Sequence, residues 1–248
     1  MKNNALQLVV FDMAGTTVRD NNEVLFCFSE ACRQAGLTAD EKRLNALMGV
    51  SKLEVFQLLW REEMGEGTSS EIIVAKADQT FQSFCRILEN YYQSHEVEPT
   101  EGALDVFHFL HEREIKIALN TGFYRKVTDI ILNRLGWLAG LDAQYVGAVG
   151  SVINFSIASD EVPKGRPEPF MIRKAMSVLG VAGPEHVLKI GDTPVDLLEG
   201  RRAECAYTLA VTNGTHTRAE LAPLDNDGLL GSLSELPGWL LDHGLVDK

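Results

Sequence analysis

The sequence predicts an α/β fold, a doubly wound parallel sheet of Rossmann-like type with an all-helical segment inserted near its start. Three observations lead there. Short, nearly all-apolar runs recur along the chain, helical patterns separate them, and one long stretch carries helical patterns alone.

The first run, Leu6-Gln7-Leu8-Val9-Val10-Phe11, is nearly all apolar, as a strand buried on both faces must be. From about Asn21 to Tyr92 no strand pattern occurs. Val24, Leu25, Phe28, Ala31, Cys32 and Ala35 trace an apolar stripe ending at Gly36. Leu53, Phe56, Leu59 and Trp60 trace a second, and Ile73, Ala77, Phe81, Phe84 and Leu88 a third. Residues 65–70 read as a loop between them. A helical insertion placed directly after the first strand reads as a separate cap domain over 19–95, with the core built from 1–18 and 96–248. Further strands are expected at 115–119, 187–190 and Tyr207–Val211, with 152–157 the least regular of the set. Helices are expected over Arg125–Leu135, 169–179 and Pro194–Arg202. Gly136 and Gly180 stand where left-handed C-cap glycines would end the first two.

Composition sets outer limits. A chain of 248 residues suits one large domain or two small ones. With 45% apolar and 23% charged residues it has the mix of a globular protein that buries a sizeable core. The net charge of −12 argues against a nucleic-acid partner, which needs a basic surface. No segment approaches the ~18–20 uninterrupted apolar residues of a membrane span. Met1-Lys2-Asn3-Asn4 lacks a signal-peptide layout, so a cytoplasmic protein without a membrane partner is expected. Cys27, Cys32, Cys85 and Cys205 show neither a CxxC pair nor zinc spacing and read as free thiols in a reducing compartment. Leu25, Phe26 and Phe28 offer more apolar surface than one stripe needs. A homodimer through the cap would use it, and core packing accounts for it equally well.

In an open α/β sheet, ligands bind beyond the carboxyl ends of the strands. Asp12-Met13-Ala14-Gly15-Thr16-Thr17 follows the first run, and Asn120-Thr121-Gly122 the second. Gly191-Asp192-Thr193-Pro194-Val195-Asp196 follows Ile190, and Lys164-Gly165-Arg166-Pro167-Glu168-Pro169 lies between the later runs. Asp12 and Asp192 on neighbouring strand ends would repel unless a cation joined them. Oxygen ligands without His or Cys point to a hard ion, Mg²⁺, which lets an anionic substrate approach an anionic nucleophile. The Thr121 hydroxyl, with backbone N–H groups at the next helix start, would hold phosphate oxygens, and Arg166 would neutralise the charge left over. Singly, each has a plainer reading: Asp12 a turn former, Thr121 a cap, Arg166 a surface ion-pair partner, Asp196 a first-turn acid favoured by the helix dipole. Their common place at strand ends and helix starts favours one site. Lys164 and Arg125 stay open between phosphate contacts and ordinary surface cations, with Asp160 and Glu161 close enough in sequence to pair with either.

In the insertion, Met48-Gly49-Val50-Ser51-Lys52-Leu53 brackets a helix start, and Ser51 with Glu54 forms a capping-box pattern. Lys52 then falls in the first turn, where a cation opposes the helix dipole by roughly 0.3–1 kcal/mol at an exposed site. Burial against the core would further favour the neutral amine, a nucleophile towards carbonyls. Position alone favours a solvated lysine.

The ordered segments FDMAGTTV, LNTG, KGRPEP and IGDTPVD resemble the haloacid dehalogenase superfamily over the whole chain, including the place of the cap. That resemblance implies a nucleophile, Asp12, that forms an aspartyl-phosphate. It implies Mg²⁺ held by Asp12, the Ala14 carbonyl and Asp192, with Asp196 supporting the metal site. Thr121 would bind the phosphoryl group and Arg166 would fill the basic motif position. Most phosphatases of that superfamily carry a second Asp two residues after the nucleophile, as general acid and then base. Ala14 stands there instead, and the loss of acid–base help is worth ~10²–10⁴ in ordinary ester hydrolysis.

Within the superfamily, DxAGTT, Arg in the GRPxP motif and MGxxK in the cap resemble the phosphonatase (phosphonoacetaldehyde hydrolase) family and its phosphonatase-like relatives. This reverses the reading of Lys52. The implied function is cleavage of the C–P bond of a 2-oxoalkyl phosphonate, with the cap lysine forming a Schiff base and Asp12 taking the phosphoryl group. Asp12, Lys52, Thr121 and Arg166 would be catalytic, and Met48, Gly49, Gly122 and Phe123 would contact substrate. Three positions depart from phosphonatase proper. Val55 replaces a His, Phe123 (with Tyr124 next) replaces a Tyr, and Met13 replaces a Trp. These changes suit the phosphonatase-like sister group and leave the substrate open. Two other functions compete: a phosphate-monoester phosphatase indifferent to Lys52, and a phosphometabolite-binding protein without turnover.

Overall fold

A computed structural model describes residues 6–247. The segment 1–4 read for targeting, and the outermost residues of the core range, lie outside the described residues. Strand β1 (Leu8–Phe11) is followed by four helices, α1 (Glu23–Ala35), α2 (Glu41–Asn45), α3 (Lys52–Met64) and α4 (Ser70–Ser94). The chain continues through α5 (Ala103–His111), β2 (Lys116–Thr121), α6 (Arg125–Leu135) and β3 (Phe155–Ala158). It then forms α7 (Phe170–Leu179), β4 (Val187–Gly191), α8 (Pro194–Arg202) and β5 (Tyr207–Val211), and closes with α9 (Arg218–Leu221), β6 (Gly228–Leu230) and α10 (Leu236–Asp242).

The strands form one parallel sheet in the order β3-β2-β1-β4-β5-β6. This is the doubly wound arrangement expected, and its direction of winding reverses between β1 and β4. Phe11 pairs in register with Leu119 on one side and Ile190 on the other. The residues that follow these three therefore emerge side by side at one edge. Every residue of β1 and β4 is buried, which is why both read as nearly unbroken apolar runs.

Some boundaries shift. The second strand extends through Thr121, beyond the expected 115–119, and the third begins at Phe155 rather than at 152. Asn120 and Thr121 are thus the last residues of a strand, not part of the loop that follows it. The edge strand β6 has only three residues, too short for an alternation pattern. Gly36, Gly136 and Gly180 end their helices with φ of 76°, 73° and 64°, as C-cap glycines do.

The four helices between β1 and α5 pack around Phe28, Phe56 and Phe84, whose rings meet edge to face at centroid distances of 5.3, 5.9 and 6.2 Å. Trp60 Nε1 donates to Thr80 Oγ1 at 2.9 Å in the same group. Of the three residues weighed for a dimer surface, Phe28 is fully buried here and Leu25 packs against the core, leaving Phe26 as the exposed one. The surplus is therefore one side chain, because the apolar stripe of α1 is absorbed by α3 and α4. The chain enters and leaves this helical region through paired crossings. Arg19 N–H donates to the Glu98 carbonyl at 2.9 Å, and Thr100 N–H to the Thr17 carbonyl at 3.0 Å. No helix among the described residues is long and apolar enough to cross a membrane. All four cysteines are free, three of them buried.

Candidate active site

Asp12 leaves β1 with its N–H still bonded to the Ile190 carbonyl of β4 at 2.9 Å. The backbone then turns sharply, with the Met13 carbonyl accepting from the N–H groups of Thr16, Thr17 and Val18. Gly15 sits in this turn at φ +85°, and a Cβ there would come within 2.3 Å of Asp192 Oδ2. Only glycine allows the turn to press against that carboxylate. Asp192, at the end of β4, accepts from Thr16 Oγ1 at 3.2 Å and from Thr215 N–H at 2.7 Å. Asp196 lies in the first turn of α8, where Thr193 donates to its Oδ2 at 2.6 Å.

Carboxylate oxygens of Asp12, Asp192 and Asp196 lie within 4.8 Å of one another, all buried. Arg166, 1% exposed, reaches into this group. Its Nη2 meets Asp12 Oδ1 at 2.6 Å and its Nη1 meets Asp196 Oδ1 at 2.9 Å. Its Nε faces Glu199 Oε2 at 3.2 Å without hydrogen-bond geometry. A second buried cation escaped the sequence reading. Lys189, in the middle of β4, pairs with Asp196 Oδ1 at 2.8 Å and donates to Asn120 Oδ1 at 2.8 Å. Asn120 completes the web by donating to both oxygens of Glu199 at 2.8 and 2.9 Å. The signal for Lys189 was its presence inside an otherwise apolar strand, VLKIG. A lone lysine buried in a parallel sheet requires an anionic partner.

Four carboxylates thus face two cations in this web, and the deficit of two charges equals that of one divalent ion. Its electrostatics reflect the imbalance. Burial, followed by repulsion from Asp12 and Asp196, pushes the Asp192 carboxyl far above its ordinary range. Burial also raises Asp12, against the opposing attraction of Arg166. Burial works against Asp196 as well, but Arg166 and Lys189 outweigh it and hold that carboxyl low. Asp12 and Asp192 therefore fit a hard cation as direct ligands. Asp196, with Oδ2 hydrogen-bonded by Thr193 and Oδ1 ion-paired to Arg166 and Lys189, fits better as a support behind them.

Lys52 is the first residue of α3, as expected, but the helix start is not the predicted capping box. Ser51 occupies the N-cap position without a side-chain hydrogen bond. It packs instead towards the core loop, where a Cβ on Gly165 would lie 3.5 Å from its own. The Lys52 side chain is 5% exposed. Its Nζ makes one long hydrogen bond, 3.4 Å to the Leu47 carbonyl, and stands 5.0 Å from the centre of the Phe28 ring. Burial lowers its pKa to about 8, against attraction from Asp20, Cys32 and Asp12. Asp20 is a further residue that the sequence reading passed over. Burial, with a contribution from Glu23, raises its carboxyl to about 7.

One pocket, partly open to solvent, gathers these groups. Asp12, Ala14, Met48, Gly49, Lys52, Thr121, Gly122, Phe123 and Arg166 all line it. The structure thereby brings together every residue expected to be catalytic or to touch substrate, with the metal-site acids beneath. The two glycines have a visible reason. A Cβ on Gly122 would lie 2.6 Å from the Gly49 carbonyl, and one on Gly49 would lie 2.7 Å from Thr193 Oγ1. The 48–50 loop can touch the core loops only without side chains there. The Thr121 hydroxyl accepts from Phe123 N–H at 3.1 Å.

The two undecided cations lie outside. Arg125 pairs with Glu161 at 2.5 Å, stacks on Tyr145 at 3.7 Å, and has its backbone N–H capped by Asp160 at 2.8 Å. Lys164 is exposed and is attracted by Glu54 across the gap to α3.

The sheet order, the inserted helices and this cluster define a class, and comparison with known proteins agrees. The haloacid dehalogenase-like hydrolase family matches residues 6–204, and the chain belongs to that family. Phosphonoacetaldehyde hydrolase of Bacillus thuringiensis (strain Al Hakam) is 32% identical over 222 residues, spanning 85% of this chain and 77% of that protein. A hydrolase from Pseudomonas syringae shares the fold with a TM-score of 0.78, at 20% identity over 95% of this chain and 98% of that one. A phosphonoacetaldehyde hydrolase-like protein from Oleispira antarctica does so with a TM-score of 0.74, at 20% identity over 96% and 92%.

Proposed function

We propose that this hydrolase cleaves the C–P bond of a 2-oxoalkyl phosphonate through a Schiff base on Lys52 and an aspartyl-phosphate on Asp12. The observation that supports this most is the placement of Lys52: a buried amine of lowered pKa walling the same cavity as Asp12. Ala14 at the position of the usual acid supports it further, since carbon as leaving atom needs no proton donor there.

In this reading the neutral Lys52 amine attacks the substrate carbonyl, and uptake of a proton from solvent lets water leave, giving a protonated imine. An Asp12 carboxylate oxygen then attacks phosphorus in line with the C–P bond. The electron pair of that bond moves to carbon and on to the iminium nitrogen, giving an enamine. Protonation at carbon and addition of water release the carbonyl product and restore the amine. A second water hydrolyses the aspartyl-phosphate. Mg²⁺ held by Asp12, Asp192 and the Ala14 carbonyl, with Asp196 behind, would offset the charge between nucleophile and phosphonate. Arg166 holds Asp12 at 2.6 Å and so fixes the attacking oxygen. The Thr121 hydroxyl, with backbone N–H groups at the start of α6, would bind the phosphoryl oxygens.

The cap of this reading is 19–95, closing on a core of 1–18 and 96–248. Its hinge would be the crossing where Val18 bridges Pro99. Closure excludes water from the imine. The free thiols suit a reducing cytoplasm.

Borohydride reduction in the presence of an oxo-phosphonate, followed by mass spectrometry, should place the substrate fragment on Lys52. Lys52→Arg keeps the charge but forms no imine, and should lower C–P cleavage at least a thousandfold. Full activity in that variant would instead favour a phosphate-ester phosphatase.

A further inference from the structure

A second cavity, of about 290 Å³, adjoins the first. Lys52, Gly122 and Phe123 line both, so these three residues form the wall between them. The two differ in chemistry. The first holds Asp12, Thr121 and Arg166. The second is walled by the rings of Phe81, Phe84, Phe123 and Tyr124, with Leu53 and Val162. Its charged residues, Glu54, Asp160 and Lys164, are exposed and keep to the rim.

A carbonyl carbon held at Lys52 carries two further substituents. One is the methylene that bears phosphorus, and it must point to Asp12. The other is a hydrogen in an aldehyde and a carbon group in a ketone. The second cavity, which Lys52 borders together with the aromatic rings, offers space for it.

We propose that the second cavity receives an apolar group on the far side of the carbonyl, so that the preferred substrate is a ketone, a 2-oxoalkyl or 2-oxo-2-arylethyl phosphonate. This inference rests on the C–P reading above and names its substrate class. Pockets of this size and lining commonly take organic groups of several carbons. Each methylene moved from water into such a wall is worth about a fourfold gain in affinity. An aldehyde hydrogen gains nothing there.

The test measures kcat/KM by phosphate release with Mg²⁺ for phosphonoacetaldehyde and for 2-oxopropyl, 2-oxobutyl, 2-oxohexyl and 2-oxo-2-phenylethyl phosphonates. The ketones are compared with one another, because an aldehyde condenses faster with any amine. From the propyl to the hexyl compound kcat/KM should rise at least tenfold. Leu53→Trp, which fills the cavity, should reduce the hexyl-to-propyl ratio at least fivefold. A flat or falling ketone series, with the aldehyde still cleaved, would overturn the cavity assignment and leave the C–P reading standing. A ratio unchanged by Leu53→Trp would overturn it as well. Failure to release phosphate from any of these compounds, with no borohydride adduct, would overturn both.

Discussion

At the scale of one residue, Lys52 shows how a site is held at a cost to stability. Its pKa of about 8 in the fold, against 10.5 for a free side chain, means that burying its charge opposes folding. The penalty is about 3 kcal/mol and is fully present below pH 8. Between pH 8 and 10.5 the folded chain sheds the proton while the unfolded chain keeps it, so stability rises with pH in that window. Lys52→Met should therefore stabilise the protein by about 1–3 kcal/mol at pH 7 while abolishing C–P cleavage. Urea unfolding from pH 7 to 10.5 should show this gain shrinking to nothing. In the proposed mechanism the same lowered pKa would set the rate. At pH 7 about one amine in ten is neutral, against a few in ten thousand for an ordinary lysine. The kcat/KM for an oxo-phosphonate should rise about tenfold per pH unit and level off near pH 8.

At the scale of elements, the contact between the 48–50 loop and the end of β2 is decided by missing side chains. Gly122→Ala would drive a methyl group against the Gly49 carbonyl and push the loop, with Lys52 four residues on from Met48, away from Asp12. A shift of about 1 Å costs catalysis heavily, so kcat/KM should fall at least tenfold. Gly65 provides the control. It has φ +73° and open space around its Cβ position, so Gly65→Ala should cost about 1 kcal/mol in thermal unfolding and leave kcat/KM unchanged. If both variants behave alike, the loop contact does not control the position of Lys52.

For the whole molecule, the sheet places four buried carboxylates and two buried cations at its switch point. A divalent ion neutralising this excess would bind the folded chain alone and so stabilise it. At a hundredfold excess of Mg²⁺ over its Kd, Tm should rise by about 5–10 °C. Asp192→Asn removes one of the uncompensated charges. It should raise Tm in chelator and abolish the Mg²⁺-dependent shift, both readable by scanning calorimetry.

The strand runs, the helical insertion and the acids at strand ends were legible in the chain because each is a local signal. An apolar run of four or five residues, a stripe at helical spacing, or an Asp after a strand depends on near neighbours only. Lys189, Glu199 and Asn120 were not legible, because their meaning lies in partners that the sheet brings from 69 or 79 positions away. Ser51 matched a local capping pattern, yet packing against the 165 region took its side chain elsewhere. Sequence by itself determined the α/β class, the order of the site motifs and the candidate nucleophile. Tertiary structure alone decided that Lys52 is buried in the wall of the cavity that holds Asp12 and that an aromatic cavity adjoins it. Burial and the distance between side chains are properties of packed elements, and no local pattern encodes them.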